Sequence, residues 1–293
     1  MYWFKKKSNM LILLGPTVLV YTVFIVVSII IAFCYSLTKY SGIGKARWLG
    51  LGNYSRILTD AYFLIALKNS FLILAVSLLL LIPLAFLLAL LFKRRLTGHG
   101  FCKATIFAPA IIAPIIVGIV WIFILDPEIG ILNALLRAAD FGQLTRPWIG
   151  SGIFDAYSFS LVFFWRQFGY LATIFLTGLN LISQDIYESS LIAGASSWQQ
   201  MWYITIPMMK QTFTICFLLV ITEVFKLFEV VLQLTNGGPN HLSEVLVTYT
   251  YTTTFKGGEY GYGMSLAIIT FLLTLVFSLL YMFITGRGRG ENP

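Results

Sequence analysis

The sequence predicts an all-α integral membrane protein with six transmembrane helices, both termini on the cytoplasmic side and one transmembrane domain over residues 1–293. Three observations predict it. Of the 293 residues, 58% are hydrophobic and only 11% are charged, against about 25% charged in a soluble domain. The apolar residues gather into six runs that meet the roughly 20 residues a membrane-crossing helix needs. Lysine and arginine lie mostly between those runs, where they set sidedness. Such a composition excludes a soluble enzyme, a disordered chain and a nucleic-acid binder, because no core of this length buries that much apolar surface. Cys34, Cys102 and Cys216 have neither a metal-ligand spacing nor a disulfide framework.

The first run, residues 10–37, follows Lys5, Lys6 and Lys7. It is too long for a signal-peptide core, no small-x-small cleavage site follows it, and Phe33 precedes Cys34 where a lipoprotein signal has a small residue. It is expected to be an uncleaved anchor. The second run, residues 69–92, contains Pro83, and the third, residues 105–125, contains Pro109 and Pro114. Helix breaks survive in a membrane only where freed backbone groups find protein or water, so these prolines point to a cavity or a moving helix. The fourth run covers residues 157–179, the fifth 207–234 and the sixth 262–285. No internal repeat, low-complexity segment or appended soluble domain is expected.

With the N-terminus inside, the inner segments hold Lys5, Lys6, Lys7, Lys93, Arg94, Arg95, Lys103, Lys210, Arg287 and Arg289. The longer outer loops hold Lys39, Lys45, Arg47, Arg56, Lys68, Arg137, Arg146 and Lys256. That bias places both termini in the cytoplasm. The block Lys93–Arg95 is the strongest anchor, either as a plain topology signal or as a contact for acidic lipid headgroups.

Ionisable groups inside a span are costly and read as functional. The fourth run carries Arg166 and Gln167, and the fifth carries Glu223, Lys226 and Glu229. The last three are spaced i,i+3 and are expected to form an acid–base–acid row on one helical face. Two readings stay open: an interhelical ion network that fixes packing, or the polar lining of a translocation path. A proton relay is disfavoured, since His99 and His241 both lie in loops. Trp121, Trp165 and Phe228 are candidates for stacking on sugar rings, although interfacial belts use the same residue types.

The segment from Asp185 to Lys210 is too polar in its first half to span and too patterned to be a plain loop. Residues 186–193 suit a short helix, Gly194 permits a turn out of it, and Ser196 with Gln199 has the capping-box pattern. Pro207 suits the start of the next helix. The expected helix–turn–helix leaves Leu191, Ile192, Met201 and Ile204 exposed, and an apolar cytoplasmic knob implies a protein partner.

Here the sequence resembles a known family. The spacing E-x5-G-A-x8-I-x2-P, carried by Glu188, Gly194, Ala195, Ile204 and Pro207, resembles the signature of permease subunits of ATP-binding-cassette importers. Ser189 and Ser190 stand where the usual pattern has Ala-Ala, and Ala193 where it has Asp. Gly52-Asn53-Tyr54, then Pro127, Gly130 and Asn133, then Phe225–Glu229 and Thr235–Pro239 resemble the carbohydrate-uptake branch, with maltose- and glycerol-phosphate-type permeases as relatives. The FK-x-F-acid run is usual there, so Lys226 and Glu229 say little about a charged substrate.

The resemblance implies the type I importer permease fold and a division of labour. A second, related permease completes the path. Two copies of a cytoplasmic ATPase bind ATP and magnesium and receive the 185–207 coupling loop. An extracytoplasmic binding protein delivers a sugar, expected to be an oligosaccharide. Glu188, Ser189, Ser190, Gly194, Ala195, Ile204 and Pro207 are then the coupling residues. Trp121, Arg166, Gln167, Glu223, Lys226, Phe228 and Glu229 are candidates for the path. The chain has no G-x4-G-K-[ST] phosphate loop, so it is expected to be no enzyme and to hold no cofactor or metal. It is expected in the inner or cytoplasmic membrane of a bacterial cell, in contact with lipid and not with nucleic acid. The alternative from composition alone is a stand-alone secondary transporter or channel subunit, which internal repeats or a relay of ionisable residues would favour.

Overall fold

The computed structural model describes residues 7–93 and 99–286. Lys5, Lys6, Arg94, Arg95, Arg287 and Arg289, used in the sidedness argument, lie outside the described residues. From the N-terminus, α1 (Lys7–Tyr21) continues through a π-helical segment, Thr22–Val27, into α2 (Ser28–Ser36). The strands β1 (Thr38–Lys39) and β2 (Arg47–Trp48) pair antiparallel, and α3 (Gly52–Thr59) follows. Next come α4 (Ala61–Val76), a π segment Ser77–Leu81 and α5 (Ile82–Lys93), together one continuous helix of 33 residues. The chain goes on through α6 (His99–Ile111), α7 (Pro114–Leu125), α8 (Ile131–Ala138), α9 (Asp155–Asn180), α10 (Gln184–Ile192) and α11 (Ser197–Gln200). A π segment, Met201–Thr205, leads to α12 (Ile206–Met208), α13 (Lys210–Phe225), α14 (Glu229–Leu234), α15 (Leu246–Tyr251) and, past a last π segment Thr252–Lys256, α16 (Tyr260–Gly286).

Among the described residues, four helices are long and apolar enough to cross a membrane: 14–36, 61–93, 155–180 and 260–285. Two further helix pairs pass only together, Gly100–Ile111 with Pro114–Leu125, bent by 102°, and Ser197–Met208 with Lys210–Phe225, bent by 64°. Counted as broken spans, they bring the number to six. The first bend has a local cause. Ala113 precedes Pro114 and is driven out of the α region, to φ −57° and ψ 134°, while Pro114 opens α7, where its missing N–H costs nothing. Pro83 does not interrupt its helix. The π turn just before it, in which the Ile82 N–H reaches the Ser77 carbonyl, takes up the ring that would clash in a regular α-helix.

The expected fifth span over 207–234 is not one helix. It bends at Met209, and α13 stops at Phe225, so Lys226, Leu227 and Phe228 lie outside regular helix before α14 begins at Glu229. The i,i+3 row of Glu223, Lys226 and Glu229 therefore does not share one helical face. Tertiary packing wins over local propensity here. Val230, Val231 and Leu234 are buried, and α14 comes so close to α7 that a β-carbon on Gly118 would lie 2.6 Å from Gln233 Cβ.

The chain divides into two compact units, Met1–Ala61 with Thr250–Leu272, and Tyr62–Tyr249 with Leu273–Pro293. In the first, Asn53 is buried and its Nδ2 donates to the carbonyls of Ser36 (2.7 Å) and Thr38 (2.9 Å), tying α3 to the end of α2. Tyr54 Oη lies 2.7 Å from Ser36 Oγ. Arg56 pairs with Glu259 and lies 4.0 Å from the ring centroid of Tyr262, whose hydroxyl donates to Asp60. The hydrogen bond from Arg56 to Glu259 holds its guanidinium above the usual arginine pKa. Between Leu14 and Tyr35 no side chain is buried, so this all-round apolar helix needs lipid or another chain against it.

The second unit is built on α9, which packs against α5, α6 and α13. Phe86, Phe175 and Phe213 meet at centroid distances of 4.8–5.5 Å. Each such aromatic pair adds roughly 0.5–1.5 kcal/mol beyond area burial. Gly169 lets α6 approach α9 closely, where a β-carbon would run into Ile106 and Phe107.

Candidate functional site

The segment over residues 183–205 folds as a double-capped elbow. Ser183 caps α10, its hydroxyl accepting from the Asp185 N–H at 3.3 Å. At the other end Gly194 takes φ +82°, its N–H donates to Leu191 O (2.9 Å), and the Ala195 N–H donates to Ser190 O (2.9 Å). That pair of bonds is a Schellman closure, which favours glycine at the left-handed position. Ser196 and Gln199 then form the capping box in both directions, at 3.3 and 2.8 Å.

A polar staple joins the two limbs, and of its members sequence reasoning singled out only Ser190. Tyr187 Oη lies 3.0 Å from Oγ1 of the buried Thr205. Gln200 Nε2 donates to Ser190 Oγ (2.8 Å) and Tyr187 O (3.3 Å), and Ser190 Oγ donates to Tyr187 O (2.7 Å). The Ser190 hydroxyl, which the alanine of the usual pattern would lack, is where the second limb hydrogen-bonds to the first.

Glu188, Ser189, Gly194 and Pro207 are exposed, whereas Ala195 and Ile204 are half-buried. Ala193, Gly194, Ala195, Gln199, Tyr203 and Ile204 line a hollow of about 260 Å³ at the bend. The exposed apolar tip differs in part from the expected one. Leu191 (60%) and Ile192 (90%) are open as expected, but Met201 and Ile204 are half-covered, and Trp198 (70%) and Tyr203 (79%) are exposed instead.

The path candidates are less united. Trp121 is buried edge-on against Trp165, at a centroid distance of 5.6 Å, so its ring face is not free to stack on a ligand. Gln167 is buried, Arg166, Glu223 and Phe228 are half-buried, and Lys226 and Glu229 are exposed. Among the described residues, Arg166, Glu223, Lys226 and Glu229 form no ion pair with one another. The Nε of Arg166 is buried with no hydrogen-bond partner. Of the two readings left open, the interhelical ion network has no ion pair there among the described residues.

Residues 100–287 match the family described as "Binding-protein-dependent transport system inner membrane component". A protein of Bacillus subtilis (strain 168) described as "Probable ABC transporter permease protein YurN" is 31% identical over 276 residues, covering 93% of this chain and 94% of that one. The chain belongs to the binding-protein-dependent inner membrane components. The trehalose/maltose transport system permease protein MalF of Thermococcus litoralis is 29% identical, covering 94% of this inner membrane component and 92% of the relative. A chain in the crystal structure of a bacterial ABC transporter involved in import of the acidic polysaccharide alginate shares the fold, with a TM-score of 0.82 at 21% identity over 99% of both chains.

In this inner membrane component, several motif residues that carry the family resemblance act as staples. Asn133 is buried, with its Nδ2 donating to Pro127 O (3.0 Å) and Arg146 O (2.9 Å), and its Oδ1 accepting from Trp148 Nε1 (2.8 Å). In the Thr235–Pro239 loop, Gly237 has φ +81° and a β-carbon there would strike the buried Glu244 carboxylate. Asn69 Nδ2 holds the same loop through Leu242 O and Glu244 O, both at 2.9 Å.

Proposed function

We propose that this chain is the permease subunit of an ATP-driven sugar importer, with the 185–207 elbow as its coupling element and an oligosaccharide as its cargo. The observation that carries the reading is the elbow itself: rigidly capped at both turns, stapled between its limbs, and tipped by exposed Leu191, Ile192 and Trp198. A tip of that kind needs a cleft in another protein. Related permeases support the cargo. They are described as serving starch degradation products, trehalose/maltose, arabinooligosaccharides and diacetylchitobiose, and one solved relative was captured with a periplasmic protein bound to an alginate pentasaccharide.

In this reading the whole chain is one transmembrane domain in the cytoplasmic membrane of a bacterium, with both termini inside. A second permease completes the path, and an extracytoplasmic sugar-binding protein delivers substrate. Two ATPase subunits, which hold the ATP and magnesium, each grip one coupling elbow. Glu188, exposed on α10, pairs with a basic group of the ATPase. Closure of the ATPase dimer pulls the elbow, and the capped turns pass that movement to α9 and α13 instead of absorbing it. The half-buried Arg166 and Glu223 and the buried Gln167 offer polar groups to passing hydroxyls.

Uptake by the assembled transporter tests the elbow. Gly194→Pro cannot adopt φ +82° and loses the N–H donated to Leu191; Glu188→Ala removes the charge. Both are expected to abolish ATP-driven sugar uptake while membrane insertion stays normal. Normal uptake in both variants overturns the coupling assignment.

A further inference from the structure

We propose that the cavity between the end of α5 and the coupling elbow binds one anionic phospholipid of the cytoplasmic leaflet. The inference rests on the cytoplasmic placement of the elbow in the preceding reading. The cavity measures about 660 Å³, within the range of roughly 300–1,000 Å³ usual for ligand pockets. Leu87, Leu90 and Leu91 make one wall, on a single face of α5, and Met201 faces them from the second limb of the elbow. Leu87 and Leu91 are each about half exposed, at 53% and 52%.

Lys93 lies at the polar end. Its Nζ donates to Leu179 O at 3.3 Å and sits 4.3 Å from the ring centroid of Tyr187. Those two contacts fix the ammonium in place and leave N–H capacity for a further acceptor. Among the described residues, no aspartate or glutamate lines the cavity and Lys93 has no carboxylate partner. Gln184 and Ser197 add neutral hydrogen-bonding groups beside it.

The lining selects its ligand by chemistry. An inorganic anion suits the ammonium but leaves the leucine wall wet, and a neutral alkyl chain suits the wall but leaves the ammonium unpaired. An amphiphile with an anionic head and acyl chains satisfies both. At the inner end of a span, that amphiphile is an acidic lipid, the usual partner of juxtamembrane lysines and arginines. Arg94 and Arg95 follow Lys93 in the sequence. Because Tyr187 belongs to one limb of the elbow and Met201 to the other, a bound lipid braces the coupling element from its membrane side.

The test is native mass spectrometry of the detergent-purified transporter titrated with dioleoylphosphatidylglycerol or dioleoylphosphatidylcholine. One phosphatidylglycerol is expected to bind about fivefold more tightly than phosphatidylcholine, the order expected for one lysine at an acidic headgroup. Lys93→Gln should erase that preference and Lys93→Arg should keep it, while Leu87→Asn weakens both lipids. Equal binding of the two lipids by the native protein overturns the proposal, as does a preference that survives Lys93→Gln or full displacement of the lipid by millimolar inorganic phosphate. Absence of lipid selectivity in the native protein, with uptake still dependent on Glu188, sinks the lipid site alone. Uptake indifferent to Glu188→Ala sinks the coupling reading instead.

Discussion

Single side chains close the loops between the membrane helices, and the charge pattern gave no sign of it. Asn133 is the clearest case, since one buried amide joins Pro127, Arg146 and Trp148. Asn133→Ala should cost about 2–4 kcal/mol, because two carbonyls and an indole N–H each lose a partner. Asn133→Asp keeps the acceptor for Trp148 but sets a carboxylate oxygen against two carbonyls, and should cost at least as much. Thermal unfolding in detergent micelles measures this, and a melting temperature equal to that of the native chain in both variants contradicts the assignment. Asn53, Asn69 and Asn133 could be picked out in sequence only as motif members or as polar residues near apolar runs. Their carbonyl partners lie 6 to 175 positions away, beyond the reach of local pattern. Conversely, the Gly194 turn and the Ser196–Gln199 box were legible because both are set by residues within one helical turn.

The bounds of α9 and α16 were readable to within a few residues, against the expected 157–179 and 262–285, whereas the second span starts at Ala61 and not near residue 69. Breaks caused by packing were not readable. Nothing between Phe225 and Glu229 is a helix breaker by propensity, yet α13 ends there because α14 docks on α7 through the space at Gly118. Gly118→Val should therefore push α14 away and destabilise the fold by roughly 1–3 kcal/mol. Adding Gln233→Gly should recover part of that loss, because the nearest clash is with the Gln233 Cβ, an atom that alanine would keep. No recovery in the double variant would show that Gly118 serves some other need. The same repacking explains why the acid–base–acid row failed: a periodic spacing predicts a shared face only while the helix continues.

At the scale of the whole molecule, the hydropathy runs and the coupling-loop spacing agree with the family to which the chain belongs and with the fold it shares with a solved importer chain. Surface left open by the fold agrees as well. Among the described residues the apolar helix over residues 14–36 has a window with no buried residue, and the elbow presents Ile192 at 90% exposure. Both suit the subunit proposed above, the helix facing lipid or a second permease and the elbow facing an ATPase. The most direct measurement is to tag the chain in its native membrane, extract it in mild detergent and identify by mass spectrometry what accompanies it. Recovery of a second permease and an ATPase bearing a phosphate loop, with the ATPase lost on Gly194→Pro, is the predicted result. A chain recovered alone, stable and still transporting sugar contradicts the account.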